Sequence, residues 1–336
     1  MLRKMGLVND AYEFLRTDRV LIVPLTHEPS EDEASIIRRQ MKEVEIQLAD
    51  FSEKRIRSTS LEAALQGQLP DELIARSPRA FDAIGDIAII ELSEDTEQFS
   101  SVIGRGILEI NPHIRLVLRK TSAISGNFRT RKFDVVAGVG GTETVHLEFA
   151  CRYRLDVSTV YFNPRLSHER MRVAQQVKPG EVVVDMFAGV GPYSVLIAKQ
   201  QLGSQVYSVD INRAAVDYLK ENVFTNGVAD RVIPLLGDTK QLARKELHGL
   251  ANRVIMNLPS ASNDYLPAAF QILKDGAGII HFYAFARREE GTDAVRNSFQ
   301  SSVKALNHEI KSIPVCKVIK EVAPNRVQVA IDALVS

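Results

Sequence analysis

The chain has 336 residues, 45% hydrophobic and 25% charged, with 42 Lys plus Arg balanced by 42 Asp plus Glu. That length predicts two or three domains of ordinary globular composition, and the balanced charge alone identifies no partner. Two cysteines, Cys151 and Cys316, exclude a disulfide framework and form no metal-ligand cluster. No apolar run approaches the roughly 20 residues that cross a bilayer, and the first residues lack the apolar core of a signal peptide. A cytosolic protein without membrane partners is expected.

Residues 1–56 read as a small α/β module. It contains a strand at Val20–Pro24, a charged helix at Glu31–Gln40 and an alternating stretch at Val44–Leu48. A second zone, 58–155, opens with a helix at Ser60–Leu65, broken by Pro70. Strands follow at Ile84–Leu92, Ile114–Leu118, Phe133–Gly138 and His146–Phe149, predicting an α+β domain. Residues 112–180 carry 12 Lys/Arg against 5 Asp/Glu, while residues 1–70 carry 10 against 12. This basic middle hints at a polyanionic partner.

From 156 to 336, strand and helix alternate at βαβ spacing. Strands are expected at Val182–Met186, Gln205–Asp210, Val232–Leu236, Arg253–Asn257 and Gly278–Phe285. Helices are expected at Pro192–Gln200, Ala214–Asn222, Asp238–Leu247 and Tyr265–Lys274. The last strands, Ile310–Val318 and Arg326–Ala333, meet at Ala323-Pro324-Asn325 without an intervening helix. The expected fold class is α/β: a Rossmann-like, mostly parallel sheet with an antiparallel C-terminal edge.

The chemistry concentrates at strand ends, where open α/β sheets bind ligands. The first strand runs into Asp185-Met186-Phe187-Ala188-Gly189-Val190-Gly191-Pro192, a glycine turn opening a helix. The turn is GxG, so it does not demand a dinucleotide. A carboxylate at Asp185 repels a pyrophosphate and attracts an ammonium, which favours S-adenosylmethionine over NAD. Asp210 lies 25 positions later, about the offset of a ribose-binding acid. Asp238 ends the third strand, either accepting from the adenine amino group or capping the next helix. Asn257-Leu258-Pro259-Ser260 ends the fourth. It resembles the Asn-Pro-Pro-aromatic motif of nitrogen methylases but lacks the aromatic.

These motifs, with Asn127-Phe128-Arg129-Thr130-Arg131, Val160-Tyr161-Phe162-Asn163-Pro164-Arg165-Leu166 and Glu169-Arg170, resemble the archaeal and eukaryal tRNA (guanine-N1)-methyltransferases. These modify position 37 of tRNA, just 3′ of the anticodon. The resemblance runs from about residue 60 to the end and is weaker over 1–56. It implies a class I, S-adenosylmethionine-dependent enzyme acting as a monomer on tRNA, with a first module that recognises the tRNA elbow. Arg129 would bond the guanine O6 and Glu169 take the N1 proton, while Asn257 and Pro259 hold the base. Tyr161, Arg131 and Arg165 would bind substrate. The cofactor would lie against Asp185, Phe187, Gly189, Gly191, Asp210, Ile211, Asp238 and Asn257.

The chemistry is consistent with this set. Guanine N1 is protonated at neutral pH, so transfer needs a base and a cation at O6. Without the resemblance, Glu169 reads as a surface acid paired with Arg165 or Arg172. Arg115, Arg119, Lys120, Lys132, Arg152, Arg154, Arg170 and Arg172 are further candidates for backbone contacts. The sibling aminocarboxypropyl transferase of wyosine synthesis is the nearest rival, and a non-catalytic RNA-binding protein a more distant one.

Overall fold

The structure is a computed structural model. It describes residues 1–336 except 18, 42, 53–57, 123–125 and 127–128, so Asn127 and Phe128 lie outside the described residues. Two compact units emerge, Met1–Thr59 and Ser60–Ser336.

In the first unit, β1 (Leu15–Arg16) pairs antiparallel with β2 (Leu21–Ile22). Helix α1 (Glu31–Gln40) starts at a capping box: the Ser30 hydroxyl accepts from the Glu33 amide, and the Glu33 carboxylate accepts from the Ser30 amide. The strand expected over Val20–Pro24 is thus two residues long. The alternating stretch Val44–Leu48 forms no strand; Leu48 is fully exposed, so one face is not buried and alternation has nothing to act on.

The second unit begins with α2 (Leu61–Leu65) and α3 (Asp71–Arg76). The single strand expected over Ile84–Leu92 is a hairpin instead, β3 (Asp82–Ile84) and β4 (Ile87–Ile90). Gly85 turns the corner at φ +57°, and a Cβ there would lie 2.1 Å from Thr144 Oγ1. Helices α4 (Glu94–Glu97) and α5 (Ser100–Ile110) lead to β5 (Leu116–Lys120) and β6 (Phe133–Gly138). The sheet order is β3-β4-β5-β6, with β4 and β5 parallel. Ile103 and Ile107 of α5 pack into one core with Leu65, Ile90 and Val117.

A separate ribbon pairs β7 (Glu143–Glu148) with β8 (Cys151–Asp156) through a turn at Phe149 and Ala150, both at positive φ. The strand expected to include Phe149 therefore stops short of it. On β8, Cys151, Tyr153 and Leu155 are fully buried.

The 3-10 turn Pro164–Leu166 leads into α6 (Ser167–Ala174). Then come β9 (Val182–Asp185), α7 (Pro192–Gln200), β10 (Gln205–Asp210), α8 (Arg213–Thr225) and β11 (Val232–Leu236). Next are α9 (Thr239–Leu242), β12 (Arg253–Met256), α10 (Ser262–Ile272) and β13 (Gly278–Arg287). Helix α11 (Gly291–Ala305), β14 (Ile310–Ala323) and β15 (Arg326–Val335) complete the chain. Five parallel strands and the antiparallel β15-β14 pair make one sheet of order β11-β10-β9-β12-β13-β15-β14. The predicted parallel sheet with an antiparallel edge is present. The helix expected over Asp238–Leu247 shrinks to one turn. The side chains of Asn222 on α8 and of Asn226, its C-cap one turn on, bond the backbone of Arg154 and Arg152, fastening the ribbon to the sheet's helical layer.

Among the described residues, no helix is long and apolar enough to cross a membrane, and no three or more His, Cys, Asp or Glu side chains are grouped to hold a metal ion.

Candidate active site

A cleft of about 390 Å³ opens where β9, β10, β11 and β12 end, within the size range of small-molecule sites. Phe187, Gly189, Asp210, Ile211, Asp238 and Asn257, six of the residues assigned to the cofactor, line it together. Gly189 sits at φ +56°, and its amide donates to Asp210 Oδ2 at 2.7 Å. Asp210 Oδ1 accepts from the Asn212 amide at 2.8 Å. Burial raises this carboxyl's pKa against the pull of those amides. Each oxygen keeps a lone pair for a ribose hydroxyl. Ile211, 46% exposed, offers an apolar face beside it. Asp238 caps α9 by accepting from the Lys240 amide at 2.9 Å, so the capping role is realised, with the residue still on the cleft wall.

Two predicted cofactor residues do not line the cleft. Gly191 precedes α7 at φ +87°, where a Cβ would lie 2.3 Å from Leu219 Cδ1. It permits close packing of helix on helix rather than close approach to a ligand. Asp185 is wholly buried and accepts from the Ser194 hydroxyl at 2.9 Å. Its Oδ1 makes no hydrogen bond to a described residue; the Phe187 amide lies near without completing one. Burial pushes its pKa up to about 7. An orphaned buried carboxylate oxygen beneath the glycine turn fits the ammonium of an amino-acid moiety.

A second cavity, of about 400 Å³, shares Arg129, Tyr161, Phe162, Asn163, Leu166 and Asn257 with the cleft. It also takes in Arg131, Arg165 and Pro259. Arg129 has φ +54° and places its guanidinium carbon 5.2 Å from the Tyr161 ring centroid. Its Nη1 donates to Ser260 Oγ at 3.1 Å. The serine that replaces the expected aromatic thus orients the arginine. No described carboxylate pairs with Arg129, and burial lowers its pKa. An arginine stays charged regardless, so an unpaired cation faces the cleft.

Glu169 is elsewhere. It is buried, lines neither cavity, and receives both a bidentate grip from Arg172 (2.8 and 2.6 Å) and the Tyr283 hydroxyl at 2.8 Å. The pairing with Arg172 weighed from sequence is present, although in the interior rather than on the surface. Arg172 also binds Asp332, which accepts from His281 at 2.7 Å. Arg170 is likewise buried, donating to Glu148 at 2.8 Å. Arg115, Arg119 and Arg154 have internal carboxylate partners. Arg170 and Arg172 are therefore structural, which corrects the expectation that they contact RNA backbone.

Sequence reasoning missed Tyr193, Asn212, Thr239 and Tyr265 on the cleft wall. Tyr265 meets Phe187 edge to face, with centroids 4.9 Å apart, and carries Lys240 over its ring. An aromatic one turn into the helix after Pro259 was the available signal.

A parallel sheet with an antiparallel edge, a glycine turn and acids at successive strand ends define a class I, S-adenosylmethionine-dependent methyltransferase. The family described as the TRM5/TYW2 methyltransferase domain matches residues 144–311, and the TYW2 N-terminal domain matches 61–142. The tRNA (guanine(37)-N(1))-methyltransferase Trm5b of Pyrococcus abyssi is 36% identical over 99% of this chain and 94% of its own length. Similarity therefore continues through residues 1–56. A solved complex of aTrm5 with tRNALeu aligns with TM-score 0.73 and 29% identity, covering 100% of this chain and 95% of that one. A tRNA(Phe) (4-demethylwyosine(37)-C(7)) aminocarboxypropyltransferase of Pyrococcus horikoshii is 30% identical over 80% of this chain and 93% of its own length. The chain belongs to the TRM5/TYW2 methyltransferase family.

Proposed function

We propose that this protein methylates N1 of the guanine at position 37 of tRNA. The observation that carries the reading is the unpaired Arg129 guanidinium, held over Tyr161 and bonded to Ser260, between the cofactor cleft and a cavity open to an acceptor. Bound in the cleft against Asp210, Ile211, Asp238 and the Gly189 turn, S-adenosylmethionine supplies an electrophilic methyl group.

The residues of this chain prepare the acceptor. The target base must leave its stack in the anticodon loop to reach the cleft. Asn257 presents its amide from the end of β12, with Gln328 Nε2 donating to its Oδ1 at 3.4 Å, and Pro259 holds the following turn. Arg129 stabilises the negative charge that grows on O6 as N1 loses its proton. Arg131 and Arg165 belong to the acceptor cavity, Arg165 already donating to Asp82 at 2.6 Å.

The proton is assigned to Glu169 through two tyrosines. Tyr193 lines the cleft and donates to the Tyr283 hydroxyl at 3.1 Å, which donates to Glu169 Oε1 at 2.8 Å. As the N1 proton reaches Tyr193, the hydroxyl protons shift one place along and Glu169 becomes neutral. Burial raises the pKa of both tyrosines, keeping them as neutral hydroxyl donors. The first unit, Met1–Thr59, is assigned to the tRNA elbow.

The sibling aminocarboxypropyl reading draws on the TYW2 match over residues 61–142. Against it, the aminocarboxypropyl relative leaves a fifth of this chain unmatched, whereas Trm5b of Pyrococcus abyssi spans it. Replacing guanine 37 by adenosine in a tRNA transcript tests the acceptor: transfer is expected to vanish, and undiminished transfer overturns the assignment.

A further inference from the structure

The acceptor cavity holds more positive charge than its own acids neutralise. Lys120, Arg129, Arg131, Arg165 and Lys320 line it against Asp82, Glu91 and Glu321, five cations to three anions. The three acids are already engaged. Asp82 is shared by Arg165 and Lys120, Glu91 pairs with Lys120, and Glu321 pairs with Arg288. Lys320, on β14 and paired through its backbone with Gln328 on β15, is half-buried, and its ammonium makes no hydrogen bond or ion pair with a described residue. Burial, with Arg165, Arg129 and Arg170 as like charges nearby, pulls its pKa down to about 8, although Asp82 opposes this.

A lysine on an antiparallel edge strand ordinarily extends into water and finds a counterion at no cost. Here the ammonium is partly desolvated among arginines, an arrangement that an incoming anion relieves. We propose that Lys320 binds the phosphodiester flanking the acceptor guanine, seating the splayed nucleotide's backbone while Arg129 addresses the base. The proposal rests on the tRNA reading above. A phosphodiester fits because the cavity adjoins the cofactor cleft, the two sharing Tyr161 and Asn257 as walls, so a base seated at the cleft places its own backbone beside this space. Lys320 acts as a point charge, independent of sequence.

Single-turnover methylation and filter binding of a tRNA transcript by the full chain, compared for wild type, Lys320→Met and Lys320→Arg, provide the test. Lys320→Met is expected to weaken tRNA binding about tenfold with the bound-state rate within about twofold. It is also expected to make the slope of log affinity against log salt shallower by about one. Lys320→Arg restores both. Unchanged S-adenosylmethionine affinity in each variant shows that the fold is intact. A bound-state rate that collapses with tRNA affinity unchanged overturns the proposal, because Lys320 then acts on the base. An unchanged salt slope overturns it also. If wild type itself methylates no tRNA, the parent reading fails instead, a result distinct from either.

Discussion

The Tyr283 hydroxyl donates to Glu169 Oε1 at 2.8 Å while Arg172 holds both oxygens of the same carboxylate. Two hydroxyls, those of Tyr193 and Tyr283, link the cleft to the residue assigned to take a proton, which also lies 3.8 Å from Lys317 Nζ. Tyr283→Phe removes the link while keeping the ring. Single-turnover transfer is expected to slow at least tenfold, with tRNA and S-adenosylmethionine affinity within about twofold. Glu169→Gln is expected to slow it by about a hundredfold or more. An undiminished rate in Tyr283→Phe removes the tyrosine route, and a large loss of cofactor affinity in Glu169→Gln would place that residue in a different site.

Arg129 gives a second, separable effect. Arg129→Lys keeps a charge but loses the planar fork that bonds Ser260 and that we propose reaches O6. The expected loss in transfer rate is about a hundredfold, the scale for removing one oxyanion donor, with cofactor binding measured by calorimetry unchanged. A rate close to wild type would mean that a point charge suffices and that the Ser260 contact is incidental.

Asp185 is expected to make stability and cofactor binding sensitive to pH. Its pKa is about 7 in the folded chain and about 3.9 when unfolded. The folded state therefore holds a proton that the unfolded state has released, and the stability of the cofactor-free protein falls as pH rises from about 4 to about 7. We assign the S-adenosylmethionine ammonium to the glycine turn above Asp185, where binding it selects the ionised carboxylate. S-adenosylmethionine affinity should therefore weaken as pH drops below about 7, by up to tenfold per unit. Calorimetric titration between pH 5.5 and 7 checks this. Asp185→Asn should bind more weakly and lose its share of that slope; a wild-type slope retained in the variant would dissociate Asp185 from the cofactor.

Glu148 and Arg170 make a buried pair, both under 10% exposed. Glu148→Ala strands the guanidinium beside the Phe162 ring. The expected cost is about 3–5 kcal/mol in urea denaturation, the range for breaking a buried pair. A cost below about 1 kcal/mol would mean that water reaches Arg170.

The sheet and its glycine turn were legible because β9, β12 and β13 carry largely buried runs bounded by turn residues, with the half-buried β10 and β11 following at βαβ spacing. Helix α5 was not, because Gly104 and Gly106 dilute its helical pattern. The same glycines explain its packing: a Cβ at Gly104 would lie 2.8 Å from Ala137 Cβ on β6. β8 carried a readable signal, with Cys151, Tyr153 and Leu155 alternating against the charged Arg152, Arg154 and Asp156. In the site, Asp210 and Gly189 were visible from their motifs. Lys320 and Tyr193 were not, since only sheet register and helix packing bring them to the cavities, nor was Tyr283, buried behind Tyr193. Asp185 and Gly191 belong to the motif yet support the turn from beneath.

The central claim concerns which atom receives the methyl group. Incubating the protein with methyl-labelled S-adenosylmethionine and a tRNA transcript bearing guanine 37, then identifying the labelled nucleoside by mass spectrometry, addresses it directly. The account predicts 1-methylguanosine at position 37. Label in any other nucleoside, an aminocarboxypropyl adduct, or no label in tRNA would contradict it.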